Sequence, residues 1–311
     1  MTTPHITKPC CTLPDTRYSV QNCARALVHH QVRQESNAAQ SLVPTLLLTI
    51  SLLLPAVVLA KSPPVEQDAF EVSVSAGVVS GPAYLGADEY QTSILPNITV
   101  KYNDRWSASL RGIKYIGISE GGWSAGPVLS YDFGREERID DNPFAIATDD
   151  STDLIGLGDV DGTLQLGGFV EYEARSFVAK LELHRGLDGG HDGLLGEASI
   201  SYRGQLVAAG RSAFYSIGPA FAFGDDAYNS AFFDTSESQS VASGLSQFDA
   251  DGGVSSFGLH GSVIMPLSKT ISIVGFGQYD QLIGDVADSS IVTERGSRDQ
   301  VTTGIFVNYR F

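Results

Sequence analysis

Few side chains in this sequence have the types and spacing that catalysis needs. A hydrolase would bring a His together with an acid and a Ser, or would pair two acids, within hydrogen-bonding reach at one rim of the fold. Downstream of residue 60 the histidines are His184, His191 and His260, and no nucleophile motif surrounds any of them. We therefore predict no catalytic residue, and hydrolysis is the least favoured of the functions considered below.

No cofactor or metal site is predicted either. Residues 156–161 (GLGDVD) lack the glycine spacing of a dinucleotide loop, and residues 189–193 (GGHDG) are typical of a tight turn. Oxygen ligands suit Ca²⁺ or Mg²⁺, but we favour solvated acidic loops over a bound cation. The carboxylates concerned are Asp140, Asp141, Asp149, Asp150, Asp153, Asp225, Asp226, Asp249 and Asp251.

The composition limits the classes of molecule that the protein could bind. The chain of 311 residues is 42% hydrophobic and only 18% charged, with a formal charge of −16. This acidity excludes nucleic acid, whose phosphates require a basic footprint. The cysteines are Cys10, Cys11 and Cys23, so a chain that begins after Ala60 has no disulfide and needs another source of stability.

The elements that would position any site are strands, and residues 300–311 are the clearest of them. Val301, Thr303, Ile305, Val307, Tyr309 and Phe311 form one face, and Gln300, Thr302, Gly304, Phe306, Asn308 and Arg310 form the other. Strict alternation predicts a strand, of the length of about 9–11 residues that crosses a bilayer. A last strand of a soluble sandwich has the same pattern. We expect Tyr309 and Phe311 to be the signal that the barrel-assembly machinery reads.

Similar alternation recurs from Phe70 to the end, with no run of period 3.6 and helical length. Polar faces retain Glu, Lys, Arg and His, aromatic residues lie at segment ends, and short connections alternate with long ones (134–158, 185–193, 224–253, 283–299). These features are typical of outer-membrane barrels. We predict an all-β fold, a transmembrane antiparallel β-barrel of 12 strands, with 10 as the fallback.

Three details of this barrel are less regular. Eleven strands are evident, but two periplasmic termini require an even number, so residues 104–122 should hide a further strand, with Gly112 to Ser119 the candidate. Pro96, Pro127 and Pro219 cannot donate to a ladder, and we expect bulges near Gly126 and Gly218. The charged side chains that face inward should leave little free lumen.

An export segment precedes the barrel. Residues 42–60 contain no charge, and Val58-Leu59-Ala60 fits a signal-peptidase site, although the run is nearly long enough for a membrane helix. We predict cleavage between Ala60 and Lys61, and a start downstream of Met1 because the leader is long. The predicted organisation is a leader with signal peptide at 1–60, a periplasmic linker at 61–69, and a barrel at 70–311.

Several stretches resemble the MipA/OmpV family. They are residues 81–90 (GPAYLGADEY), 126–137 (GPVLSYDFGREE), 157–172 (LGDVDGTLQLGGFVEY), 181–196 (LELHRGLDGGHDGLLG) and 282–300 (LIGDVADSSIVTERGSRDQ). The segment from Gly284 to Arg298 is the most specific. The resemblance covers about residues 70–311 in the family's order.

The resemblance implies an outer-membrane barrel in contact with outer-membrane lipid and lipopolysaccharide. For the founding member it implies a non-catalytic scaffold that joins a lytic murein transglycosylase to a penicillin-binding protein. A narrow diffusion channel for small solutes, or an adhesion factor, is the alternative. The family has no shared catalytic residues to carry over.

Overall fold

The computed structural model describes residues 70–138, 145–148, 152–208 and 210–311. The leader at 1–60, the cleavage site at Ala60 and Lys61, and the linker at 61–69 lie outside these residues. Asp140, Asp141, Asp149 and Asp150 do as well. No helix in the described part of the chain is long and apolar enough to cross a membrane.

Fourteen strands make up a single antiparallel sheet. They are β1 (Phe70–Pro82), β2 (Tyr90–Tyr102), β3 (Trp106–Ser109), β4 (Gly112–Tyr115), β5 (Ile118–Glu120), β6 (Trp123–Asp132), β7 (Ala145–Thr148), β8 (Thr163–Ala174), β9 (Phe177–Asp188), β10 (Leu194–Ala208), β11 (Arg211–Gly224), β12 (Gly253–Pro266), β13 (Ile271–Leu282) and β14 (Asp299–Arg310). Closure of a sheet pairs most strand edges with a neighbour and is a source of stability that needs no disulfides.

The sheet closes because β1 pairs with both β2 and β14. β4 and β5 follow one another along a single position of the ring, both against β6, and β7 lies off the ring on β2 at Gln91–Ser93. The ring therefore has 12 positions, as predicted. The strand missing from the sequence-based count is the β4–β5 pair, within the expected residues 104–122.

The outward face is apolar along the whole ring. On β14, for example, Ile305 is 56% exposed and Val307 is 55% exposed. A continuous apolar surface of this kind is not found on monomeric soluble proteins and fits contact with lipid. Paired aromatic rings mark one end of the barrel: Phe70 with Tyr102, Trp106 with Tyr115, Trp123 with Tyr172, and Tyr309 with Phe311.

The same end carries the short turns and both ends of the barrel segment. In bacterial barrels the short turns lie at the periplasmic end and the long loops lie at the outer end. We therefore assign this end of the barrel to the periplasm. Two of the short turns need positive φ, at Asn103 and Asp104 (both 52°) and at Gly121 and Gly122 (60° and 87°). Such residues form the two-residue turns that match strand twist.

Pro96 lies on a stretch of β2 with a free edge. It faces Ala76 of β1 on one side. On the other side, among the described residues, β2 pairs with β3 only at Val100–Tyr102 and with β7 only at Gln91–Ser93. A proline at an unpaired edge removes no ladder bond, so no bulge is needed there.

Pro127 and Pro219 are accommodated differently. Pro127 faces the break between β4 and β5. The registers of these two strands with β6 differ by one residue. The irregularity expected near Gly126 is therefore present, but it lies on the neighbouring strands. The prediction of a bulge near Gly218 is wrong. There the β10–β11 ladder omits two pairs but keeps its register, and the shift in β11 lies between Ala222 and Phe223, against β12.

Loops of the outer end pack into a cap, formed by residues 83–89, 152–162, 225–252 and 283–298. Its helices are α1 (Asp226–Phe233), α2 (Glu237–Ser243), α3 (Gly284–Asp288) and α4 (Ser290–Arg295). Two clusters of buried apolar side chains hold it together, one around Leu154 and Ile291 and the other around Phe233 and Val286, each 1% exposed. The tightest apolar packing in the described chain thus lies above the barrel.

Candidate functional site: the lumen and its cap

Inward-facing charges gather on one wall of the lumen, formed by β6, β8, β9 and β10. Lys180 Nζ lies 2.6 Å from Glu182, and Arg203 lies 3.2 Å from Glu173 and 3.9 Å from Glu171. Alternation along each strand places these side chains inside. We call this surface the charged wall. His184 is one of its members, because its Nε2 lies 3.0 Å from Glu182.

A chain of hydrogen bonds continues from the charged wall toward the cap. His184 Nε2 lies 3.0 Å from Glu182 Oε1, and His184 Nδ1 lies 2.9 Å from Ser130 Oγ. Ser130 donates to Gln165 at 3.1 Å, and Gln165 Nε2 lies 3.3 Å from both Asp132 Oδ2 and the ring of the buried His191. Most polar groups of this chain are thereby paired, as burial requires, whereas Nδ1 of His191 is buried without a hydrogen-bond partner.

Ser130, His184 and Glu182 are the residue types of a hydrolytic triad. Ser130 Oγ lies 2.9 Å from His184 Nδ1 and 3.1 Å from Gln165 Oε1. Ser130 lies within ladders to β4 and β8, which occupy its backbone groups. None of the three lines the main cavity. A triad needs a free nucleophile and donors for an oxyanion, so this geometry favours a structural role for the three residues.

A cavity of about 1440 Å³ lies along the opposite wall of the lumen. Contrary to expectation, the charged side chains do not fill the lumen, because they cluster on one side of it. We call the opposite surface the hydroxyl wall; it includes Asn97, Ser107, Ser201, Ser262, Gln278 and Asn308. His260 also lines it and lies 3.0 Å from Asp280.

Two aromatic rings on the hydroxyl wall lean over glycines of the neighbouring strands. A Cβ added to Gly77 would stand 2.5 Å from the ring of Phe306, and one added to Gly304 would stand 2.3 Å from the ring of Phe276. The glycines therefore leave room for rings that lie against the sheet. The two ring centroids are 6.3 Å apart with planes at 24°, and both rings line the cavity. Sequence reasoning missed this pair.

Roof contacts join the cap to the lumen. The ring of His191 packs against Tyr228 at 5.1 Å and against Phe232 at 5.9 Å. Arg135 donates from Nη1 to the carbonyl of Phe232 at 2.5 Å, and burial lowers the pKa of its guanidinium. Tyr84, Tyr228, Phe232 and Arg135 line the outer part of the cavity.

The segment most specific to the family resemblance locks the cap. Arg295 Nη1 donates to the carbonyl of Asp153 at 2.7 Å, and its Nη2 donates to the carbonyl of Ser243. The side chain of Gln300 accepts from Gly86 N at 3.0 Å and donates to the carbonyl of Ala87 at 3.0 Å. Arg295 therefore joins two of the other loops to its own, and Gln300, at the start of β14, holds the third.

Acidic loop residues serve mainly as partners for backbone amides. Asp225 caps α1 by accepting from Tyr228 N, and Asp226 accepts from Gly252 N at 2.7 Å. Asp285 accepts from the amide of Asp251 at 3.0 Å. Carboxylates at helix starts are stabilised by the free amides there. These contacts give the described acidic loops a structural use that the sequence did not reveal.

One carboxylate group lies at the edge of the cap. Side-chain oxygens of Asp88, Glu89 and Asp153 lie within 4.8 Å of one another. Burial, together with the neighbouring Asp153, raises the pKa of Glu89 to about 7. Carboxylates this close can share a proton or hold a cation.

The chain end seals the ring. Phe311 N donates to the carbonyl of Val72 at 3.0 Å, and the rings of Tyr309 and Phe311 meet edge to face at 4.8 Å. Both side chains point outward at the periplasmic end, at 43% and 76% exposure. Their part in barrel assembly stays a prediction.

Residues 74–311 match the profile of the family described as MltA-interacting protein MipA. The chain belongs to the MipA family. The match spans every strand of the ring and confirms the resemblance seen in the sequence. With the closed barrel and its apolar outer face, it places this MipA family member in the bacterial outer membrane.

Solved barrels are similar to this MipA family member only distantly. The β domain of the Bordetella autotransporter BrkA is 13% identical, with a TM-score of 0.36 over 78% of this chain and 99% of its own. OprD of Pseudomonas aeruginosa is 11% identical, with a TM-score of 0.32 over 77% of this chain and 65% of its own. These scores are low, so the architecture rests on the strand pairing itself. No protein in a comparison with curated sequences matches this chain.

Proposed function

We propose that this protein is a non-catalytic scaffold of the outer membrane, which holds murein enzymes at its periplasmic end. By family resemblance the partners are a lytic transglycosylase, the class to which MltA belongs, and a penicillin-binding protein. The observation that carries the proposal is the contrast between the two ends of the barrel. The outer end is covered by a cap with its own apolar core, whereas the periplasmic end presents short, braced turns.

The bracing consists of arginines that reach across neighbouring turns. Arg211 Nη1 donates to the carbonyl of Leu267 at 2.8 Å, and Arg310 Nη2 donates to the carbonyl of Lys269 at 3.0 Å. Arg105 contacts the carbonyl of Ile116 at 3.3 Å. Rigid turns lose little entropy on binding, so a few contacts from them can supply specificity.

The charge of the periplasmic rim supports the same proposal. Basic groups outnumber acidic ones there, although the chain as a whole is acidic. The basic residues are Lys101, Arg105, Arg175, Arg203, Arg211, Lys269 and Arg310, and the acidic ones are Glu71, Asp104, Glu120 and Glu173. A basic rim attracts an acidic surface and orients it during encounter.

A narrow diffusion channel is the second candidate, and the lumen cavity favours it. A cavity of about 1440 Å³ next to a charged wall has the polar interior of a pore. The cap covers the outer end of the barrel, which argues against free passage of solutes through that end. The adhesion alternative has no particular residue in its favour.

Two variants separate the scaffold from the channel. The rim variant carries Arg175→Ser, Arg211→Ser and Lys269→Ser, and the lumen variant carries Lys180→Met and Glu182→Gln. In neutral detergent, free of anionic lipid, we expect the rim variant to capture about tenfold less transglycosylase from envelope extracts, as identified by mass. The lumen variant should capture as much as the native protein. Native capture by the rim variant, with altered solute uptake by the lumen variant, would favour the channel.

The organisation of the chain before the barrel is part of the same proposal. A signal peptide within 1–60 would deliver the protein to the periplasm, and the linker at 61–69 would lie beside the rim. Terminal sequencing of the membrane-extracted protein should find Lys61 first.

A further inference from the structure

The hydroxyl wall has the composition of a saccharide site. Around the rings of Phe276 and Phe306 the cavity is lined by hydroxyl and amide groups, among them Asn97, Ser262 and Asn308. His260 on this wall has its own hydrogen-bond partner, because its Nε2 lies 3.0 Å from Asp280. An acyl chain would leave the hydroxyl and amide groups unpaired.

The orientation of the rings supports the same ligand class. Each ring leans over a glycine of the neighbouring strand and lines the cavity. The face of an aromatic ring is negative, and the C–H groups on one side of a sugar carry small positive charge. The two ring centroids lie 6.3 Å apart with planes at 24°, so a chain of sugar units can contact both rings.

We propose that the hydroxyl wall binds an oligosaccharide, whose apolar face rests on Phe276 and Phe306 while its hydroxyl groups bond to the surrounding side chains. The cavity of about 1440 Å³ exceeds the roughly 300–1,000 Å³ of ordinary small-molecule pockets, which fits several sugar units. Its lining reaches Asn308 near the periplasmic end of β14, so the sugar enters from the periplasm.

Rings laid over glycines also stabilise sheets without any ligand. Phe223 has this arrangement on the outside of the barrel, where a Cβ on Gly196 would stand 2.5 Å from its ring. Its side chain belongs to the lipid-facing row of β11. Phe223 is therefore a matched control, because it shares the packing but not the cavity.

The test measures binding of the N-acetylglucosamine tetramer, and of maltotetraose, by titration calorimetry in detergent. Phe276→Leu with Phe306→Leu keeps apolar bulk but removes both faces, and should weaken binding about tenfold. Phe223→Leu should leave the affinity unchanged. Heat-modifiable migration on gels reports whether each variant has folded. The proposal is overturned if neither tetramer binds the native protein, or if the folded double variant binds as well as the native one.

A second variant keeps the test decisive if the ring variant does not fold. Asn97→Ala with Asn308→Ala leaves both aromatic rings in place and should still weaken binding several-fold, since it removes hydrogen bonds to the sugar. Native affinity in this variant overturns the proposal.

Saccharide binding goes beyond the scaffold role and does not depend on it. The ring variant should capture murein enzymes normally, so the two ideas fail separately.

Discussion

At the scale of single residues, the cap depends on a few side chains that each join two loops. Arg295 reaches Asp153 and Ser243, and Gln300 contacts Gly86 and Ala87 in one loop and Ser297 in another. Hydrogen bonds from a charged group are each worth about 1.5–3 kcal/mol when buried. The short segment most specific to the family resemblance thus has a physical reason to be where it is, at the junction of the loops.

Glu89 should make the stability of the protein depend on pH. Its pKa is raised to about 7, so the fold favours the protonated form. The stabilisation is fully present below the ordinary carboxyl pKa and is lost as pH rises through about 7. Screening by solvent limits the effect to about 1 kcal/mol, or about 2–4 °C in Tm.

Thermal unfolding at pH 5.5 and pH 8 measures this effect. The native protein should lose more Tm between the two pH values than Glu89→Gln does. Glu237→Gln, an exposed acid in the first turn of α2, is the control and should behave like the native chain. The same loss of Tm in Glu89→Gln and in the native protein would contradict the prediction.

At the scale of elements, the strands could be predicted and the cap could not. A period of two survives in each strand because one face meets lipid and the other meets the lumen, which is why 12 positions were expected. Helices of 5–8 residues are too short to display a 3.6 period. The ring pairs were missed because Gly77 and Phe306 are far apart in sequence and meet only when β1 joins β14.

The joint between β1 and β14 gives a prediction about assembly. Phe311→Ala should lower the amount of protein in the outer membrane at least several-fold, because Phe311 ends the strand that closes the ring. Phe70→Ala is the matched control: Phe70 is 72% exposed and Phe311 is 76% exposed, both at the periplasmic end. Immunoblots of purified outer membranes compare them. Equal loss in both variants would assign the effect to the aromatic belt instead of to an assembly signal.

At the scale of the whole molecule, charge and packing divide the barrel along its axis. Carboxylates concentrate in the outer loops, where many accept from backbone amides, while basic groups concentrate at the periplasmic rim. Apolar packing is densest in the cap, and the lumen beneath it stays partly empty. The outer end of the barrel is therefore covered by packed loops, and a cavity lies in the lumen beneath them.

This asymmetry predicts the electrical behaviour of the barrel. In planar bilayers the native protein should show small or no conductance steps, because the cap covers the outer mouth. Replacing residues 227–250 by a short Gly-Ser link removes nearly all of α1 and all of α2. Phe232, which lines the cavity, and Phe233, which packs in one cluster of the cap, are removed with them. A ring of 12 strands with a polar interior then has an open end, and conductance should rise about tenfold or more, since a water-filled barrel conducts ions.

Val241→Ser, at an 84% exposed position of α2, controls for changes on the cap surface and should conduct as the native protein does. Large steps in the native protein, unchanged by the deletion, would mean that the cap does not close the mouth and that the protein works as a channel.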